Sequence, residues 1–230
     1  MSTTNTNNPR QPLRWLVTLG PTHEPIDGVR FIGNRSSGRM GFEIAKAAQD
    51  SGAHVRILAG PCSLPEIDSW TDVARFQTAA DLRGVLSETW SNFDVLIMAA
   101  AVADWRVVGA PLAEKIRRDA TPPTLQLEPV PEILGNLSRR ENQFVVGFAL
   151  EPKSDVLASA RRKLAAKKVD CIVANSLETL DSMNSDAQIV WGDGRVQSHN
   201  ESSEFKAKSI VARWIVQALS PAIAQKCRGG

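Results

Sequence analysis

The sequence predicts an α/β domain with a mostly parallel central sheet and a small C-terminal hairpin, and three observations carry that reading. Short apolar runs alternate with longer amphipathic ones, the order expected of parallel strands joined by helices. The run Val95–Val102, VLIMAAAV, shows no alternation, as a central strand covered on both faces should. Near the C-terminus, Gln188–Trp191 and Arg195–His199 flank Gly192-Asp193-Gly194, the pattern of a tight hairpin.

The elements follow in order. Residues 1–12, MSTTNTNNPRQP, are polar, lack the apolar core of a signal peptide and are expected to be disordered. Leu13–Leu19 reads as a strand ending at Gly20-Pro21, and THEPIDGVR is a long charged connection in place of a G-x-G-x-x-G turn. A helix begins near Gly38, capped by Ser36 or Ser37, with Met40, Ile44, Ala47 and Ala48 on one face as far as Ser51-Gly52. His54–Gly60 and Val73–Thr78 are strands, and Ala80 to about Asn92 is a helix with Leu82, Val85, Leu86 and Thr89 on one side. The strand Val95–Val102 stops at Asp104. Pro111, Pro122 and Pro123 around Lys115, Arg117 and Arg118 then make 104–127 an excursion rather than a helix.

Pro131 and Glu132 open a short helix through Leu137, and Phe144–Ala149 is a buried strand. Ser154–Lys168 is a helix with Leu157, Ala160 and Leu164 inward, and Cys171–Ala174 is an interior strand ending at Asn175. A closing helix, Glu204–Leu219, packs Ile210, Val211, Trp214, Ile215 and Leu219, and the tail 221–230 is expected to be loose.

Composition bounds the function. With 230 residues, 43% hydrophobic and 23% charged, the chain suits a single domain, expected over 13–220. A net charge of +2 gives no reason to expect nucleic acid or an anionic membrane as partner. The longest apolar run, Val95–Ala103, is too short to span a bilayer. Cys62, Cys171 and Cys227 are too scattered for a disulfide framework or zinc cluster, which fits a reducing cytoplasm.

The stretch FIGNRSSGRMG, Phe31–Gly41, runs from a strand into the first helix. Free N–H groups and the positive end of the dipole would point out of it, and Gly38 and Gly41 would let a ligand approach the backbone, which describes an anion site. The residues alone leave a second reading open, a capped turn with Asn34 as a turn residue. The polar breaks at Gly20, Asn34, Asp104, Phe148–Glu151 and Asn175 all follow apolar runs, so they should share the sheet edge where ligands bind. Lys115, Lys163 and Lys167 could add charge there for a polyphosphate. Equally, Lys163 and Lys167 could be solvated surface, Asp104 a turn former and Phe148 a core aromatic.

GPTHEPIDGVRFIGNRSSGRMG, AAAVADW, KIRR, PEIL, VGFALE and ARRKLAAKKVDCIVANS resemble, in order and spacing, the phosphopantothenate–cysteine ligase (phosphopantothenoylcysteine synthetase) family. The resemblance covers about Leu13–Leu219, and its most specific piece is N-R-S-S-G-x-M-G. It implies a modified Rossmann-like three-layer sandwich that forms homodimers. It also implies a magnesium- and CTP-dependent activation of the 4′-phosphopantothenate carboxylate to an acyl-cytidylate, followed by capture with L-cysteine. By the same resemblance Asn34 contacts the acyl group, Arg30 is needed for activity, and Lys115 is both catalytic and nucleotide-binding. Ala100, Asp104, Pro131, Glu132, Ile133, Leu134, Phe148, Lys163 and Lys167 would hold the nucleotide. Ser36, Ser37, Gly38 and Met40 would lie near the substrate. No metal ligand is assigned.

Departures from the family pattern include His23 for arginine, Arg117 and Arg118 for lysines, Pro129-Val130 for lysine-asparagine, Glu132 for aspartate, and NSDAQ for G-S-D-x-N. Lysine and arginine hold phosphate differently, so these changes bear on affinity. Many relatives carry a flavin-dependent decarboxylase ahead of this domain. Only about a dozen polar residues precede the first strand here, so no FMN is expected even under a family label that says flavoprotein, and a separate protein should supply the decarboxylase. Two rivals are weighed. An NAD(P)-dependent oxidoreductase would need a glycine-rich turn and usually Tyr-x-x-x-Lys, and the chain has no tyrosine. A nucleotide-binding protein that has lost catalysis fits the departures but not the retained Asn34, Asp104 and Lys115.

Overall fold

The computed structural model describes residues 11–117, 124–199 and 205–229. The expectations for residues 1–10, Arg118, Pro122, Pro123 and Glu204 fall outside them.

Eight strands form the central sheet: β1 Arg14–Leu19, β2 His54–Ala59, β3 Val73–Arg75, β4 Val95–Met98, β5 Phe144–Glu151, β6 Cys171–Ser176, β7 Gln188–Trp191 and β8 Val196–Ser198. Their order is β3-β2-β1-β4-β5-β6-β7-β8. β1 to β6 are parallel, and β7 and β8 add an antiparallel hairpin at one edge. The chain winds outward from β1 through β2 and β3, then restarts at β4 on the other side of β1. That is the doubly wound Rossmann-like arrangement, with its switch point between β1 and β4.

Both faces are covered. Helices α1 Arg39–Asp50 and α4 Lys208–Arg228 pack on one face with Val17, Ile57, Ile97 and Val173. Helices α2 Ala79–Thr89 and α3 Val156–Lys167 cover the other with Leu16, Leu58, Leu96 and Ile172. This double burial explains why β1, β4 and β6 read as continuous apolar runs.

Five local expectations need correction. Val73–Thr78 is strand only to Arg75, and Thr78 instead caps α2 through a reciprocal bond pair with Asp81. The apolar run after Val95 leaves the sheet at Met98, because hydroxyls take over its N–H groups: Thr18 Oγ1 accepts from Ala100 at 3.1 Å and Thr22 Oγ1 from Ala103 at 2.9 Å. Residues 131–137 make only a 3₁₀ turn at Leu134–Asn136. The serines do not supply the α1 cap, which is Gly38 at φ 72°, a conformation glycine adopts without strain. The segment expected to be a loose tail is helical: α4 continues past Pro221 to Arg228, held by buried Ile223 and by the ion pair of Lys226 with Asp170.

The long connections form ribbons. His23–Pro25 pairs with Phe31–Gly33, and Trp105–Val107 with Leu127–Pro129. Asp27, 3% exposed, ties them together. Its carboxylate accepts from the N–H groups of Val29, Arg30 and Ile116 and from the Arg30 guanidinium at 2.6 Å. Those bonds, the one from Ile116 foremost, hold its carboxyl well below the usual range.

Candidate active-site cleft

The carboxyl ends of β1, β4, β5 and β6 open into one cleft of about 830 Å³. One wall is the segment 33–41 leading into α1, the floor is Met98–Asp104, and the far wall combines Val130–Leu134, Phe148–Leu150 and α3. The third side is built from Asn175, Thr179–Asp181, Ser185 and Lys208.

The floor is fixed by backbone and hydroxyl bonds. Ala101 N–H donates to Gly20 O at 2.9 Å and Thr22 N–H to Ala101 O at 3.2 Å, so the β1 and β4 ends stay zipped beyond the regular sheet. Alanines there leave the backbone open to a ligand. At the wall, a Cβ on Gly41 would lie 2.7 Å from Leu19 Cβ, so only glycine lets α1 sit this close to β1. Asn34 reaches across the cleft, its Nδ2 donating to Val102 O at 2.9 Å, with a second amide hydrogen left over.

Lys163 and Lys167 both project into the cleft from one face of α3, but neither is a bare cation. Lys163 Nζ lies 2.7 Å from Glu151 Oε1, and Lys167 Nζ 3.0 Å from Glu132 Oε2. Burial pushes the Glu151 carboxyl up, but hydrogen bonds from Lys163 and Ser159 outweigh it and leave it below its usual range. The Glu132 carboxylate also accepts from Leu134 N–H at 3.1 Å, which shapes the 131–134 loop. Five basic side chains, Arg35, Arg39, Lys163, Lys167 and Lys208, face three acidic ones, Asp104, Glu132 and Asp181. The balance favours an anion.

Of the residues singled out from sequence, Asn34, Ser36, Ser37, Gly38, Met40, Ala100, Asp104, Pro131, Glu132, Ile133, Leu134, Phe148, Lys163 and Lys167 all line this cleft. Arg30 and Lys115 do not. Arg30 is turned to Asp27 and to Ile116 O, at 3.1 Å, which holds the segment next to Lys115 against the ribbon turn. Sequence reasoning missed Arg35, Arg39, Asp181 and Lys208. Lys208 carried a signal, since it falls at helical spacing on the stripe of Val211, Ala212, Ile215 and Leu219.

Fold and cleft together define a doubly wound α/β protein whose cleft, at its topological switch point, is lined by more basic than acidic side chains. The chain belongs to the DFP family, described as the DNA/pantothenate metabolism flavoprotein C-terminal domain, whose profile matches residues 11–222. It is 39% identical over 178 residues to a protein of an unknown prokaryotic organism named cysteine/cysteine sulfinic acid decarboxylase, covering 75% of this chain and 48% of that protein. It is 37% identical over 174 residues to the coenzyme A biosynthesis bifunctional protein CoaBC of Bacillus subtilis (strain 168), covering 75% of this chain and 42% of that one. The crystal structure of the C-terminal domain of a coenzyme A biosynthesis bifunctional protein CoaBC matches with a TM-score of 0.72 at 29% identity, over 94% of this chain and 97% of that one. The chain spans about half the length of the curated relatives it matches.

Proposed function

We propose that the protein is a phosphopantothenate–cysteine ligase, a step of coenzyme A biosynthesis that uses CTP and magnesium. The observation that carries this reading is the convergence of Asn34, Asp104, Phe148, Lys163, Lys167 and the start of α1 on one cleft. A phosphorylated acid and a nucleoside triphosphate bound side by side there would bring a carboxylate against a polyphosphate, so charge neutralisation is the main task.

In the proposed reaction a carboxylate oxygen attacks the α-phosphorus, and the bond to the pyrophosphate leaving group breaks. The nitrogen of L-cysteine then attacks the acyl carbon, loses a proton, and CMP departs with the bonding electron pair. The spare amide hydrogen of Asn34 suits the acyl oxygen as charge develops on it. Lys163 and Lys167 exchange their glutamate partners for nucleotide phosphates, and Phe148 with Pro131–Leu134 flanks the base. Asp104, an acidic residue lining the cleft, is the carboxylate that would help to hold a magnesium ion brought in with the nucleotide phosphates. That ion supplies charge neutralisation. The reading involves neither flavin nor nicotinamide.

The resemblance also implies a homodimer. Phe31, Trp105, Val108 and Leu127, on or beside the two ribbons, are exposed apolar side chains that a second copy would cover. No helix among the described residues is long and apolar enough to cross a membrane, compatible with a cytoplasmic enzyme.

The test is to mix the protein with 4′-phosphopantothenate, magnesium and CTP or ATP, with and without cysteine. Pyrophosphate release should require the acid, and CMP release should require cysteine. Asn34→Asp should still release pyrophosphate but slow amide formation, because a carboxylate repels the developing oxyanion. Amide formation at the wild-type rate would remove Asn34 from the mechanism.

A further inference from the structure

Lys208 is the first residue of α4, lines the cleft, and is only 8% exposed. Its ammonium makes no hydrogen bond or ion pair among the described residues. The charged groups that act on it are Asp181, which attracts it but is engaged by Arg35, and Arg39, which repels it but is paired with Glu66. Burial pushes its pKa down from the ordinary lysine value.

Apart from the attraction of Asp181, the placement is unfavourable by itself. A cation is buried with no ion pair among the described residues, near an arginine that is itself paired with Glu66, at the helix end where the backbone dipole is already positive. An apolar residue would continue the Val211, Ile215, Leu219 stripe at less cost. The balance reverses when an anion enters the cleft, because the same dipole then attracts it, as do the cleft-lining Gly38 and Arg39 at the start of α1, whose N–H groups make only long 3.4 Å bonds to Ser36 and Ser37 Oγ.

We propose that Lys208 and the N-terminus of α1 form a phosphate subsite on the opposite side of the cleft from Lys163 and Lys167. The ligand chemistry is a phosphoryl group with two possible sources, the β,γ-phosphates of the nucleotide or the terminal phosphate of the acid. Only the choice between these sources rests on the ligase reading.

The experiment titrates inorganic pyrophosphate into wild-type protein, Lys208→Met and Lys208→Arg by calorimetry, with KM for nucleotide and for phosphopantothenate measured in parallel. Lys208→Met should bind pyrophosphate about 10- to 100-fold more weakly, since it loses a charge-assisted partner, while Lys208→Arg stays within a few-fold. Thermal melting of Lys208→Met should be equal to or above the wild type, because an uncompensated buried charge is gone. A rise in KM for the nucleotide assigns the subsite to the β,γ-phosphates, and a rise for the acid assigns it to the acid's phosphate. Unchanged pyrophosphate affinity in a folded Lys208→Met overturns the proposal, as does a lowered melting point with Lys208→Arg also failing to bind. Weakened binding in a protein that turns over no substrate keeps the subsite and removes the ligase; full turnover with unaltered binding does the reverse.

Discussion

Replacing Gly41 and Gly84 by alanine, one at a time, separates close packing from helix propensity. Both lie within α-helices. A Cβ at position 84 meets nothing within 4 Å, whereas at position 41 it meets Leu19 Cβ at 2.7 Å and Thr18 O at 3.2 Å. Ordinary carbon contact is about 4 Å, so α1 must retreat by about 1 Å. Overpacking of this kind costs about 1–3 kcal/mol, against a gain of about 1 kcal/mol in propensity for either substitution. Gly84→Ala should therefore raise the melting point by about 2–4 °C, and Gly41→Ala should lower it by up to about 4–8 °C. The difference between the two, about 1–3 kcal/mol, isolates the packing cost because the propensity gain cancels. Urea unfolding of both variants measures it. The same retreat moves the start of α1 away from the cleft, and a misplacement of about 1 Å should reduce nucleotide turnover by about 100-fold. Equal stability of the two variants would refute the close-approach account of Gly41, and full turnover in Gly41→Ala would refute the claim that α1 contacts the ligand.

Two further outcomes can be checked. Asp27 has a folded pKa held below its unfolded value, so its stabilising effect is present above about pH 4 and declines as pH falls below that. Asp27→Asn should thus be less stable than wild type at neutral pH, with the gap narrowing between about pH 4 and pH 2; a gap that stays constant in chemical denaturation would show that the carboxylate bonds carry no linkage. Lys163→Met should raise nucleotide KM about 10-fold, the loss of one charge-assisted bond. It should also return the Glu151 carboxyl upward, seen by NMR titration. An unmoved KM would leave Lys163 as a partner of Glu151 alone.

The sheet was legible from sequence because its strands are buried on both sides, which leaves unbroken apolar runs such as Val95–Met98 and Cys171–Ala174. Segment 31–41 allowed two readings from its residues alone, an anion site or a capped turn, and the structure places 33–41 along one wall of the cleft. Boundaries were harder. Thr18 and Thr22 end β4 by capturing N–H groups 82 and 81 residues away in the chain, and α4 outlasts Pro221 because Asp170 receives Lys226. Local residue patterns determined which segments are strand and which are helix. Only the tertiary structure decided that Arg30 turns to Asp27, that Lys163 and Lys167 are met by Glu151 and Glu132, and that Lys208 is buried at the cleft with no ion pair among the described residues. A charge's partners are set by distance in space, and residue spacing along the chain does not fix that distance.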